Sequence, residues 1–298
     1  MTESLAIDPY LFDEQFSAFK VFVEYESRMR FTSFISNPFI NHHEGYKYEI
    51  YQTAREKLAL EKWHEQDIGS GKIVACTIAA IELKNNNFFD LHGKYGPESR
   101  LHHKLYLAQE TQEDVAEIER CLFNIYYGTN EGASFDHAIS IFGQKYPFLA
   151  YLFFLKDCSL YLPVKPTFFE QAFSSLGVDL KLSGRCSWEN YSRYLEVMDE
   201  LRLLLSDKLS CSVTLLDAHS FAWMLNTQVT VEPAQTTDVE VYGETERESL
   251  IKARKGQGKF RDELKKYWSN ACAVTGCQAV DLLRASHIKP WCASDNTE

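Results

Sequence analysis

The groups best suited to chemistry cluster in the tail: Cys272, Cys277, His287 and Cys292, within a segment rich in Lys and Arg. Two cysteines in C-x4-C spacing, with a histidine and a third cysteine further on, could close a structural tetrahedral zinc site. The competing reading makes Cys272 a small core residue in a tight "CAVTG" turn. His287 follows an apolar run, where a lone histidine is commonly a hydrogen-bonded structural residue. With an unperturbed pKa near ~6.5 it is also suited to take a proton from water. Residues 247–298 hold ten Lys/Arg against six Asp/Glu, a net +4 in a chain whose total is −11, which leaves −15 on residues 1–246. A basic tail can meet phosphates while an acidic body limits indiscriminate nucleic-acid binding.

The tail carries three blocks in order. Arg254, Gly256, Gln257, Phe260 and Arg261 form R-x-G-Q-x-x-F-R; Cys272, Thr275 and Gly276 form C-x-x-T-G. Leu283, Ala285, His287, Ile288, Pro290 and Trp291 form L-x-A-x-H-I-x-P-W. In these blocks, residues 247–298 resemble the HNH endonuclease family, in its restriction and defence branch. The resemblance implies a ββα-metal fold gripping one divalent metal, Mg2+, with His287 as the general base that activates water. It further implies that Arg254, Gln257, Arg261 and Lys289 contact the nucleic acid. In the family, the Asn and the last metal-binding His or Asp follow that first histidine. Here "CASDNTE" closes the chain, Asn296 lies too near His287 to sit across a hairpin, and Ser286 occupies a position that is a ligand in some relatives. The expectation is a truncated chain, inactive alone, with most metal ligands beyond Glu298. Cys272 and Cys277 remain the alternative, structural-zinc pair.

Something must hold this tail. Apolar residues make up 45% of the chain and aromatics 14%, enough for a real core and incompatible with a disordered chain. "LFDEQFSAFKVFVEYESRMRFTSFI" places Leu11, Phe12, Phe16, Phe19, Val21, Phe22 and Val23 at roughly helical spacing. A second helix is expected over "GYKYEIYQTAREKLALEKW", ending near Trp63. A third begins at Thr111 in "TQEDVAEIERCLFNIYYG", and another has Ser187 as N-cap with Asn190 at N3. "PTFFEQAFSSLG" reads as a short helix stopped at Gly177, "LLDAHSFAWML" closes the module, and "SGKIVACTIAAIEL" suits a buried strand or a helix. "KNNNFFDLHGKYGPES" is turn-rich. Residues 226–246 lose helical periodicity and read as a linker. The expected fold is α+β: a predominantly helical N-terminal domain over residues 1–225, that linker, and a partial ββα-metal (HNH) domain over 247–298.

Weaker motifs have structural readings. "GSGK" (Gly69 to Lys72) lacks the full phosphate-loop pattern and reads as a turn. "NHH" at 41–43 and "LHHK" at 101–104 read as surface histidines rather than metal pairs. "DAHS" holds the letters Asp217, His219 and Ser220, but a triad is a matter of geometry, and a buried polar position in a helix is expected. The aromatic block "YPFLAYLFF" lacks interleaved basic residues and reads as core rather than a base-stacking surface.

No run approaches the ~18 apolar residues a membrane span needs. The acidic start "MTESLAIDPYLFDEQF" is unlike a secretory leader, and the eight cysteines lack the density of a disulfide scaffold. These features predict a cytoplasmic protein, and the HNH resemblance implies a DNA endonuclease whose N-terminal domain recognises a DNA feature or a protein partner. The alternatives are a non-catalytic DNA-binding or protein-interaction module, and an RNA-directed nuclease.

Overall fold

"YPFLAYLFFLK" leaves no face for water, so its helix has to run through the interior. In the computed structural model, which describes residues 7–93, 95–112, 114–227, 266, 267 and 271, every residue from Phe148 to Leu155 is 0% exposed. The described helices are α1 (Pro9–Ser27), α2 (Pro38–Glu44), α3 (Tyr46–Leu58), α4 (Lys72–Ile81), α5 (His103–Thr111) and α6 (Val115–Tyr127). They continue with α7 (Glu131–Phe142), α8 (Tyr146–Lys156), α9 (Pro166–Ser174), α10 (Trp188–Leu209) and α11 (Leu215–Thr227). The central helix is α8, flanked by α3, α6 and α7, while α11 lies against α1, α9 and α10.

Local sequence explains most helix ends. Asp8 caps α1 by accepting from the backbone N–H groups of Tyr10 and Leu11 at 2.9 and 3.0 Å, ahead of Pro9 at the first position. Phe12, Phe16, Phe19 and Val23 then fall on one buried stripe. The three phenylalanines meet Phe221 of α11 at ring-centroid distances of 6.3, 6.5 and 4.8 Å, whereas Val21 is 68% exposed. Ser187 caps α10 by accepting from Asn190 N at 3.2 Å.

The α+β expectation is corrected: the described residues hold eleven α-helices and no strand. The ambiguous run "KIVACTIAAI" is the helix α4. Its alanines favour helix, and Ile73, Val74, Ile78 and Ile81 are buried along it. No ββα-metal arrangement is present among the described residues either. Two helix limits also differ from the sequence reading. Ala59, at φ 49°, ends α3 before a separate 3-10 turn at Leu60–Lys62. Thr111 closes α5 instead of opening a helix, because Gln112 (φ 60°) and Asp114 (φ 56°) turn the chain before α6. Among the described residues no helix is long and apolar enough to cross a membrane.

Candidate functional site

Of the residues singled out for the nuclease reading, His287, Arg254, Gln257, Arg261, Lys289, Cys272 and Cys277 all lie outside the described residues. Among the described residues no cluster of three or more His, Cys, Asp or Glu could hold a metal ion. Two buried polar networks are present instead, and each absorbs a motif visible in the sequence.

The first surrounds "GSGK". Gly69 and Gly71 take positive φ, 93° and 82°, a backbone that aims N–H groups inward ahead of α4. These groups converge on a carboxylate from α6. Glu119 Oε2 accepts from Gly69 N at 2.7 Å and Gly71 N at 3.2 Å. Its Oε1 accepts from Ile73 N at 2.7 Å and Val74 N at 3.1 Å. Glu119 is 0% exposed. The loop is thus an anion cradle at a helix N-terminus, filled by the protein's own carboxylate. Lys72, which a phosphate loop would direct at its ligand, donates instead to Lys62 O and Asp67 Oδ2 at 2.6 and 2.8 Å. A phosphate would have to displace Glu119, so the turn reading of "GSGK" holds with a structural purpose added.

The second network centres on Lys47, only 1% exposed near the start of α3. Its ammonium forms an ion pair with Glu44, at the end of α2 and 5% exposed. It also donates to His219 Nδ1 at 2.8 Å and Ser220 Oγ at 3.2 Å on α11. All three ammonium donors are therefore used. His219 Nε2 lies 3.2 Å from Pro163 O, a contact that requires Nε2–H and leaves Nδ1 free to accept. Burial, and then the Lys47 charge, hold the His219 pKa well below the ordinary histidine range, which keeps the ring neutral. Burial also pushes the Lys47 pKa down, opposed by Glu44.

This geometry decides the "DAHS" letters. Ser220 Oγ donates to Leu216 O at 3.0 Å, His219 bonds Lys47 and Pro163, and Asp217 Oδ2 accepts from Thr214 N and Oγ1 at 2.9 and 2.7 Å. Hydroxyl, imidazole and carboxylate each serve a different partner, so there is no triad. Lysine beside serine is a geometry that can activate a hydroxyl, but here the Lys47 ammonium is committed to Glu44 and His219, and Ser220 Oγ donates to Leu216 O. The network clamps α2 and α3 to α11. Sequence reasoning missed Glu119, Glu44 and Lys47. Only the i,i+3 spacing of the last two was visible.

The histidine pairs separate. His42 and His43 are exposed, as expected. His102 is 0% exposed, enclosed by the rings of Phe89, Phe148 and Tyr106 at 5.7, 6.2 and 5.3 Å. Burial, and then the charge of Arg100, lower its pKa to about 4 from 6.5. Between those values the unfolded chain binds a proton that the folded chain refuses, so stability is full above pH ~6.5 and falls as pH drops toward ~4. The expected loss from His102 is on the order of 2 kcal/mol across that window. His102→Phe should flatten that part of a curve of urea midpoint against pH. An unchanged slope would show that His102 does not set it.

Comparison with family models, with curated proteins and with solved structures gives no match to this chain.

Proposed function

We propose that the chain is a DNA endonuclease of the HNH kind, acting in restriction or anti-phage defence, with the helical unit recognising a DNA feature or a protein partner. The observation that carries this reading is the ordered set of three blocks from Arg254 to Trp291. In it, His287 takes a proton from the attacking water, and Arg254, Gln257, Arg261 and Lys289 hold the phosphate backbone. A divalent metal, Mg2+ by the resemblance, supplies charge stabilisation at the phosphate when bound; no ligand set for it occurs among the described residues. None of the matched positions is assigned as a metal ligand, so DNA binding is the property of the reading that is tested first. The free thiols of Cys76, Cys121, Cys158, Cys186 and Cys211 support a cytoplasmic setting.

The test is a fluorescence titration of the chain against duplex DNA over a range of salt. Affinity should fall with salt with a log–log slope of about −0.9 per phosphate neutralised. Replacing Arg254 and Arg261 together by Ala should weaken binding and make that slope shallower by about 2. Absence of DNA binding would overturn the proposal, and preferential competition by RNA would move the reading to an RNA-directed nuclease.

A further inference from the structure

Beside the Lys47 clamp lies a cleft of about 340 Å3, between the end of α2, the start of α3 and the first turn of α11. Its volume falls within the range of small-ligand sites, ~300–1,000 Å3. Phe34, Ile35, Ile40 and Leu216 supply apolar walls, and Glu44 and Asp217 supply carboxylates. No Lys, Arg or His lines it among the described residues.

The two carboxylates are not equivalent. Glu44 is balanced by Lys47 beneath it. Asp217 has a local structural task, since Asp217 N donates to Thr214 Oγ1 at 3.1 Å and Asp217 Oδ2 accepts both Thr214 bonds, a reciprocal cap on α11. That task uses one oxygen. Among the described residues nothing hydrogen-bonds Asp217 Oδ1, and no cation forms an ion pair with this side chain. Lys47 also acts electrostatically on Asp217, but this one ammonium faces two carboxylates, so the cleft carries one negative charge in excess beside its apolar walls.

We propose that this cleft binds a small organic cation, a primary ammonium on a compact apolar body. The ammonium sits on Asp217 Oδ1 and the body lies against Phe34, Ile40 and Leu216. A divalent metal is less well matched, because Glu44 is already neutralised by Lys47 and Asp217 Oδ2 is taken by Thr214, which leaves one carboxylate oxygen free. The raised pKa of Asp217, caused by burial, agrees with a carboxylate that an incoming cation would relieve. This site is independent of the DNA reading of the tail.

Calorimetric titration of the full chain with 2-phenylethylammonium, the neutral isostere 2-phenylethanol and Mg2+ tests the proposal. The ammonium should bind saturably and at least tenfold more tightly than the alcohol. Asp217→Asn, whose amide oxygen can still accept from Thr214, should weaken the ammonium at least tenfold and leave the alcohol unchanged. Equal binding of ammonium and alcohol, no saturable binding of the ammonium, undiminished binding by Asp217→Asn, or displacement of the ammonium by Mg2+ would each overturn it. The comparison of ammonium with alcohol on the unaltered chain decides the matter even if the variant does not fold.

Discussion

Glu119→Ala is expected to lower the stability of the helical unit by about 4 kcal/mol, one of the two largest single-residue effects foreseen here. The reason is the number of donors that lose their acceptor together. Four backbone N–H groups, of Gly69, Gly71, Ile73 and Val74, end on this one carboxylate. The last two belong to the first turn of α4, whose N–H groups have no partner within the helix. A buried donor left without an acceptor costs ~1–3 kcal/mol, and relaxation toward water recovers part of the sum. For a unit of this size the loss corresponds to a fall in melting temperature of about 8–16 °C. The cradle itself would survive, because Gly69 and Gly71 make its shape. Formate, small and carboxylate-bearing, should therefore restore part of the lost stability in Glu119→Ala and add nothing to the unaltered chain, with chloride at equal ionic strength as the control. A shift of less than ~1 kcal/mol, within the reach of an ordinary surface substitution, would show that the four bonds are not what holds α4.

Lys47→Met should cost a comparable ~3–5 kcal/mol, by a different route. Methionine fills similar space, so little packing is lost. What remains is the Glu44 carboxylate, 5% exposed and without its counter-charge, together with His219 Nδ1 and Ser220 Oγ deprived of their donor. If the buried charge is the source of the penalty, neutralising it should recover most of the loss. Glu44→Gln combined with Lys47→Met is then expected to be more stable than Lys47→Met alone, a coupling a double-mutant cycle reads directly. Simple additivity of the two substitutions in urea unfolding would contradict the clamp.

These two networks also mark where reading the sequence fell short. The course of α8 was legible because a block apolar on all sides can only go inside. The start of α10 was signalled by Ser187, whose side chain caps its own helix, and Gly177, at φ 80°, stands just beyond α9 as its stop signal suggested. The run after "GSGK" stayed open between strand and helix because the group that caps it comes from Glu119 on α6. Nothing within the run names that partner. Nothing in the local sequence singles out Lys47 and Glu44, and only the meeting of α2, α3 and α11 buries them. His102 misled for a related reason: its burial comes from Phe89 and Phe148, distant in sequence and adjacent in space. The Asp217, His219 and Ser220 letters were correctly set aside, since a triad is a spatial relation that adjacency in a helix does not create. The tail differs in kind. Its reading rests on matched residues in order, and its positions fall outside the described residues.

The central claim is that His287 is the base of a DNA-cutting site. Its most direct test is the nicking of supercoiled plasmid by the natural protein that contains residues 1–298, measured with Mg2+ and with chelator. The expected result is metal-dependent nicking that His287→Ala reduces by about 10²–10⁴-fold, the usual contribution of a positioned general base, and that Asn296→Ala leaves unchanged. Nicking at the same rate in the His287→Ala protein would contradict the assignment.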